Sequence, residues 1–339
     1  MLENLKKLCS LCSISGDENE VRDYIINEIK DHCEYSVDPL GSIIAFKKGK
    51  KTPQKKLLVS AHMDEVGLIV TYINDDGSLL VSPVGGVEAG VVMGRKLFVG
   101  KNKLPAAAGS VAVHNLSKKD RDKAPDIKDI YADIGALSKH EAEQRVSLGD
   151  PVYFDGDFVR LSENKIAAKA IDDRFGCVLM IELIKQDIMY DTYFTFVVQE
   201  EIGLRGARAA SYTVDPDMAL VLEATTASDI PSVEDDKKVC CLGDGPVVSF
   251  MDRATIYHSD LYRLAFDTAR ELEIPCQTKT AVAGGNDAGA IHTSRGGVMT
   301  LAVSLPCRYI HSPSCVADIR DIEATATLVK ELIKRMHND

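Results

Sequence analysis

Leu57-Leu58-Val59-Ser60-Ala61-His62-Met63-Asp64 is an apolar run that closes on two side chains able to hold ions or move protons. Its first five residues read as a short buried strand. His62 and Asp64 then stand where that strand ends, and open α/β sheets bind their ligands beyond the carboxyl ends of strands. The pattern recurs along the chain. Glu200 and Glu201 end Phe194-Thr195-Phe196-Val197-Val198, Glu223 ends Ala219-Leu220-Val221-Leu222, and His311 follows a strand over 298–304 and a short loop. Asp172 and Asp173 lie just before an apolar helix, where carboxylates suit the positive end of the helix dipole.

Outward from these stretches, the texture divides the chain. Ser15 and Glu18 have capping-box spacing, and Val21, Tyr24, Ile25 and Ile29 share one helical face, which predicts a helix over 17–32. Strands are expected over 43–46, 57–61, 193–198, 218–222 and 298–304, and helices over 173–185, 204–210, 261–272 and 323–336. Between Val66 and Arg160, short β-type runs are broken by Asp75-Asp76-Gly77, Gly85-Gly86, Gly94, Gly100 and Gly149-Asp150. That is the texture of a small β-rich domain. Alternating strands and helices on both sides of it predict an α/β domain interrupted by an insertion.

Composition narrows the function classes. With 40 Lys+Arg against 51 Asp+Glu, the 339 residues carry a formal charge of −11. This disfavours a phosphate-tracking nucleic-acid surface or a polybasic membrane anchor. No apolar run reaches the roughly 18 residues of a membrane span. Glu3, Lys6 and Lys7 interrupt the apolar region that a signal peptide needs, so a cytoplasmic location is expected. The nine cysteines are odd in number and scattered, so reduced thiols are the default. Cys9 and Cys12 form a CxxC, but on an expected first helix with Leu2, Leu5 and Leu8 rather than after a strand.

Each candidate residue has a plainer reading. A His after a strand is commonly a structural hydrogen-bonder, Asp-Asp before a helix a cap, and Glu-Glu a solvated strand end. Their coincidence at four strand ends and one helix start argues for a shared site. From His62 the gaps are 110 residues to Asp172, then 29 to Glu201, 22 to Glu223 and 88 to His311. A local zinc knuckle or a helical HExxH uses close spacing instead, so the folded sheet must assemble this site. A mixed set of carboxylates and imidazoles suits Zn, Co or Mn. Successive residues on an extended strand point to opposite sides, so Glu200 and Glu201 should do different work. Gly85, Gly86 and Gly90 do not fit a GxGxxG, and His292 is expected to be structural, while His114, His140 and His258 lack ligand-type company.

Ser60-Ala61-His62-Met63-Asp64-Glu65-Val66-Gly67, Ala170-Ile171-Asp172-Asp173-Arg174, Val198-Gln199-Glu200-Glu201-Ile202-Gly203, Gly284-Gly285-Asn286-Asp287-Ala288-Gly289 and Tyr309-Ile310-His311-Ser312-Pro313 resemble the di-metal aminopeptidases of the glutamyl and deblocking type, members of which are also labelled endoglucanase or cellulase M. The resemblance covers almost the whole chain, and Gly149-Asp150-Pro151-Val152 is similar to the family's return from its insert. It implies a zinc-peptidase-like, mixed-sheet α/β/α domain from 1–65 and 161–339, with a small β-barrel-like insert over 66–160 that mediates dimers and substrate access. It implies two divalent ions, Zn or Co, with Asp172 bridging them. His62 and Glu223 would complete one ion's ligands, and Glu201 and His311 the other's. Glu200 matches the general base, acting on a hydroxide between the ions, and Asp64 the carboxylate that holds His62. A cis peptide between Asp172 and Asp173 is also implied. So are short peptide substrates and a hollow tetrahedral dodecamer. Glu223 stands where the family often has Asp, and Asn286 where it frequently has Thr.

Two other functions stand beside this one. A glycoside hydrolase also needs paired acids, but sugar clefts favour aromatic platforms, and this chain has no Trp and 6% aromatics. A non-catalytic metal-binding scaffold would have no use for Glu200 and Asp64.

Overall fold

The computed structural model describes residues 1–118, 123 and 125–337. Its centre is an eight-stranded mixed sheet. In spatial order the strands are Glu34–Val37, Ile43–Lys47, Thr192–Val197, Leu57–His62, Met218–Thr226, Met299–Cys307, Val247–Val248 and Gln277–Thr278. The four from Thr192–Val197 to Met299–Cys307 run parallel, so their carboxyl ends share one edge of the sheet.

Alternation along these strands explains the layers, because successive side chains leave opposite faces of a sheet. Leu57, Val59 and Ala61, with Leu220, Leu222, Leu301 and Val303, pack on one face against helices Leu2–Cys9, Asn19–Ile29, Ile171–Ile184, Ser259–Glu271 and Ile319–Met336. Leu58, Ala219, Val221 and Ala302 meet Ala207, Ala210, Val214 and Ile291 from helices Arg205–Val214 and Ala288–Ile291 on the other. The result is the α/β/α sandwich expected from the sequence.

Between Gly67 and Phe154 six antiparallel strands close into a barrel. It has its own apolar core, in which Leu68, Leu79, Leu97, Val99, Ile130 and Val152 are buried. A closed barrel leaves no sheet edge unpaired. The short strands Val159–Arg160, Lys165–Ala168 and Cys315–Asp318 form a separate three-stranded sheet beside the main one. Among the described residues, no helix is long and apolar enough to cross a membrane.

Several local expectations change. Ser15 does not cap the second helix, which starts at Asn19 with no side-chain cap bond. The first helix ends at Cys9, so Cys12 lies beyond it, buried against Ile14 and Tyr153. Glu200 and Glu201 are not on a strand, because Gln199 turns left-handed at φ 57° after pairing stops at Val197. The opposite-faces argument for these two glutamates therefore does not apply. Glu223 lies inside its strand, which runs on to Thr226 because Met299–Cys307 pairs with it along its whole length.

Candidate metal centre

His62 is the last residue of its strand and is 1% exposed. Its Nδ1 lies 3.0 Å from the Asp64 main-chain carbonyl, which only accepts, so Nδ1 carries the hydrogen and Nε2 faces the cleft. Nε2 lies 3.4 Å from Asp172 Oδ1 and 3.7 Å from Glu223 Oε2. His311 repeats this arrangement. Its Nδ1 faces the Gly86 carbonyl at 3.0 Å, and its Nε2 lies 3.3 Å from Glu201 Oε2 and 3.7 Å from Asp172 Oδ2. The two oxygens of Asp172 thus face different imidazoles.

Sequence-distant elements make this convergence. The peptide between Asp172 and Asp173 is cis, and both residues lie outside helical geometry at the start of Ile171–Ile184. Ala170, Gln199, Tyr309 and His311 all adopt left-handed backbone. Such conformations in non-glycine residues concentrate at functional sites.

Asp64 is fully buried and does more than face His62. Its Oδ1, at 3.6 Å from His62 Nδ1, is farther than its own carbonyl. The carboxylate instead accepts the backbone N–H groups of Glu200 at 3.0 Å and Glu201 at 3.1 Å, and the Ser15 hydroxyl at 2.6 Å. Glu18 Oε1 accepts the N–H groups of Gly16 at 2.7 Å and Gln199 at 3.2 Å. The residues with capping-box spacing thus brace the turn that carries both glutamates.

Electrostatics favour cations here. Burial raises the Glu200 and Glu223 carboxyls well above their ordinary range and pushes Glu201 up to about 7. Burial would raise Asp172 too, but His311 and His62 hold it well below the usual carboxylate range. Burial opposes protonation of His311, yet Asp172 and Glu201 lift it to about 9. Glu223 Oε1 and Asp173 Oδ2 are buried without a hydrogen-bond partner. A buried carboxylate is costly unless paired or bound to a metal, so these donors fit divalent cations. His62, Asp172 and Glu201 offer ligand atoms within 4.8 Å of one another, and so do His62, Asp173 and Glu223.

The second group includes Asp173, which sequence reasoning left without a role. Other supports were also missed. Glu65 Oε1 accepts from Lys169 Nζ at 2.6 Å and from the Ser13 N–H at 3.2 Å. Arg174 Nη2 adds a contact at 3.3 Å, and Lys169 Nζ also donates to the Leu11 carbonyl at 2.6 Å. Lys169 and Arg174, flanking Asp172 in sequence, thereby tie its segment to the N-terminal stretch. Asp287 is fully buried with neither oxygen partnered, and burial pushes it up to about 7. Asn286 donates to the Tyr257 hydroxyl at 3.0 Å, while His292 turns away, its Nδ1 2.8 Å from the Ala288 carbonyl. Glu200, Glu201, Glu223 and His311 line one cleft of about 500 Å³.

A parallel-strand edge that gathers two outward-fixed imidazoles around a shared carboxylate defines the fold and site class of an α/β/α metallopeptidase. The chain belongs to the M42 glutamyl aminopeptidase family, which it matches over residues 41–328. It is therefore a peptide hydrolase of the aminopeptidase class. It is 40% identical over 336 residues to a putative aminopeptidase of Acetivibrio thermocellus, covering 98% of each chain. It is 36% identical to the lysyl aminopeptidase of Pyrococcus furiosus, covering 98% of this chain and 97% of that one. Among solved structures it superposes on the TET1 peptidase of Pyrococcus horikoshii, described as assembling into a tetrahedron or a large octahedral shell. That match has a TM-score of 0.85 at 34% identity and covers 98% of both chains.

Proposed function

We propose that this aminopeptidase is metal-dependent and removes N-terminal residues from short peptides, with Glu200 as general base. His62, Asp172, Glu201, Glu223 and His311 would hold two divalent ions, zinc or cobalt. The observation that carries this reading is the placement of Asp172, with Oδ1 3.4 Å from one imidazole Nε2 and Oδ2 3.7 Å from the other. Both rings are fixed from behind by carbonyls, so both present Nε2 toward the same carboxylate.

Bound ions would polarise the scissile carbonyl and lower the pKa of a water toward about 7. Glu200 lines the same cleft, where its carboxylate would take a proton and return it to the leaving amine. Asp64 positions that base through the Glu200 backbone N–H. The acidic floor of the cleft also suits the free amine of a peptide N-terminus.

The test is an assay on aminoacyl-nitroanilides and on a soluble cellulose, each with and without chelator. Chelator-sensitive hydrolysis of the anilides alone is expected; cleavage of cellulose would favour a glycosidase, in which two imidazoles have no evident work. Glu200→Gln should lose turnover by orders of magnitude with metal content near wild type. His62→Ala and His311→Ala should lose metal, and retained turnover in Glu200→Gln would sink the base assignment.

Residues 66–160 are read as the domain that mediates dimerisation and substrate access, inserted into a catalytic domain of 1–65 and 161–339. Assembly into a dodecamer is proposed by likeness to a solved structure described as PhTET1-12s, a dodecamer in the asymmetric unit. A cytoplasmic location belongs to the same reading, supported by free thiols at all nine cysteines.

A further inference from the structure

We infer that Asp173 is a direct ligand of the ion held at His62, adding a carboxylate oxygen to those of Asp172 and Glu223. This rests on the metal-dependent reading of the cleft and gives a role to a residue that the sequence motifs left without one. The two ion positions then differ: Asp172, Asp173 and Glu223 serve one, and Asp172 and Glu201 the other.

Asp173 is fully buried, and only one of its oxygens is used. Oδ1 accepts the Gly176 N–H at 2.9 Å, as a carboxylate capping a helix start does. Oδ2 has no hydrogen-bond partner, and no Lys or Arg among the described residues forms an ion pair with this side chain. A cap explains one oxygen and leaves the charge on the other unmatched, which is costly for a buried carboxylate unless a cation faces it. Glu223 Oε1, also buried, is in the same position. His62, Asp173 and Glu223 each bring one ligand atom, and the three atoms lie within 4.8 Å of one another. Oxygen and nitrogen ligands of one zinc ion, bound at about 2.0–2.2 Å, stand no more than about 4.4 Å apart. A small closure on an ion therefore completes the set.

The space around the carboxylate gives independent support. Gly176 lies inside the helix Ile171–Ile184 in ordinary right-handed backbone, where alanine would be more stable by about 1 kcal/mol. A Cβ at this position would stand 2.8 Å from Asp173 Oδ1, closer still to Oδ2, and 2.9 Å from Ala61 Cβ on the strand that ends in His62. The missing side chain thus leaves room for the carboxylate beside the strand that delivers the imidazole. Exposure separates the two ion positions as well, because the His62 side chain is 1% exposed and that of His311 34%. Removing the Asp173 charge should therefore weaken the enclosed ion and spare the one at His311.

The experiment takes full-length protein stripped by chelator and titrates it with Co(II), following visible absorption and bound cobalt per chain. The variants are Asp173→Asn, which keeps an oxygen for the Gly176 N–H, and Asp173→Ser as a second should the first fold poorly. Asp173→Asn should weaken one cobalt ion by more than roughly 100-fold, beyond the roughly 10- to 100-fold typical of losing a group that only hydrogen-bonds a ligand. The absorption of that ion should change with it. Double variants assign the position. In a His311→Ala background, Asp173→Asn should weaken the remaining ion by the same factor; in a His62→Ala background it should leave the remaining ion as it was. A capping role alone would instead lower the melting temperature of metal-free protein without touching cobalt affinity, and that result would overturn the inference, as would equal weakening of both ions. A wild type that binds no cobalt would defeat the metal-dependent reading itself, whereas Asp173→Asn binding two ions as tightly as wild type would remove the role of Asp173 alone.

Discussion

At the residue scale, Ser15 and Glu18 brace the turn that carries Glu200 and Glu201. The Ser15 hydroxyl donates to the buried Asp64 carboxylate at 2.6 Å, and hydrogen bonds to charged groups contribute about 1.5–3 kcal/mol. Ser15→Ala should therefore lower the melting temperature of the metal-loaded enzyme, with a loss of that order in denaturant titrations. Glu18 gives a pH signature. Burial lifts its carboxyl from 4.5 to about 7, so the folded protein keeps this proton while the unfolded chain has already released it. Stability then falls as pH rises from about 4.5 to about 7 and is flat above. Glu18→Gln keeps an oxygen for the Gly16 and Gln199 N–H groups and carries no such penalty. Its stability advantage over wild type should open across that window and stay constant above it, with a ceiling of about 3 kcal/mol. Thermal melts from pH 4 to 9 check this; an advantage independent of pH would refute it.

At the scale of elements, what was legible in the sequence follows from locality. Leu57–His62 announced itself because a buried parallel strand is apolar throughout and its end is marked by the first polar residues. The support network was not legible, because its contacts join residues far apart: Ser15 to Asp64, Lys169 to Leu11, and His311 to Gly86 across 225 positions. The pair Gly85-Gly86 was visible only as a break between strands. A Cβ on Gly85, whose φ is +83°, would sit 2.9 Å from Val66 Cγ1 and 3.1 Å from Glu201 Cβ. Gly85→Ala should therefore disturb Glu201 and lower kcat/KM by at least roughly tenfold, since small misplacements at a reacting site are costly. The fold of the barrel should survive, which circular dichroism together with kinetics would establish. Unchanged kinetics would show that the turn yields without moving Glu201.

For the whole molecule, local patterning yielded an interrupted α/β domain with a β-rich middle, and only the family resemblance implied that this middle is barrel-like, as the closed six-stranded barrel bears out. Closure depends on pairing Gly67–Ile73 with Pro151–Phe154, strands whose alignment no local pattern specifies. Metal removal is a test at this scale. A ligand at one hundred times its dissociation constant stabilises the native state by about 2.7 kcal/mol. Dialysis against chelator should thus lower the melting temperature and abolish hydrolysis, and Zn or Co should restore both. Light scattering tests assembly: twelve chains of 36.9 kDa give about 440 kDa, whereas 36.9 kDa at working concentration would overturn the dodecamer.

The hydrogen bond from His311 to the Gly86 carbonyl carries a final implication for regulation. One partner belongs to the sandwich and the other to the segment that bears the barrel, so if His311 holds an ion as proposed, seating of the barrel and affinity for that ion share one free energy. Coupling of this kind is reciprocal. Whatever fraction of affinity is lost when the barrel loosens must reappear as weaker seating when the ion leaves. If subunits join through the barrel, dilution alone should drain metal from the enzyme, and metal alone should draw subunits together.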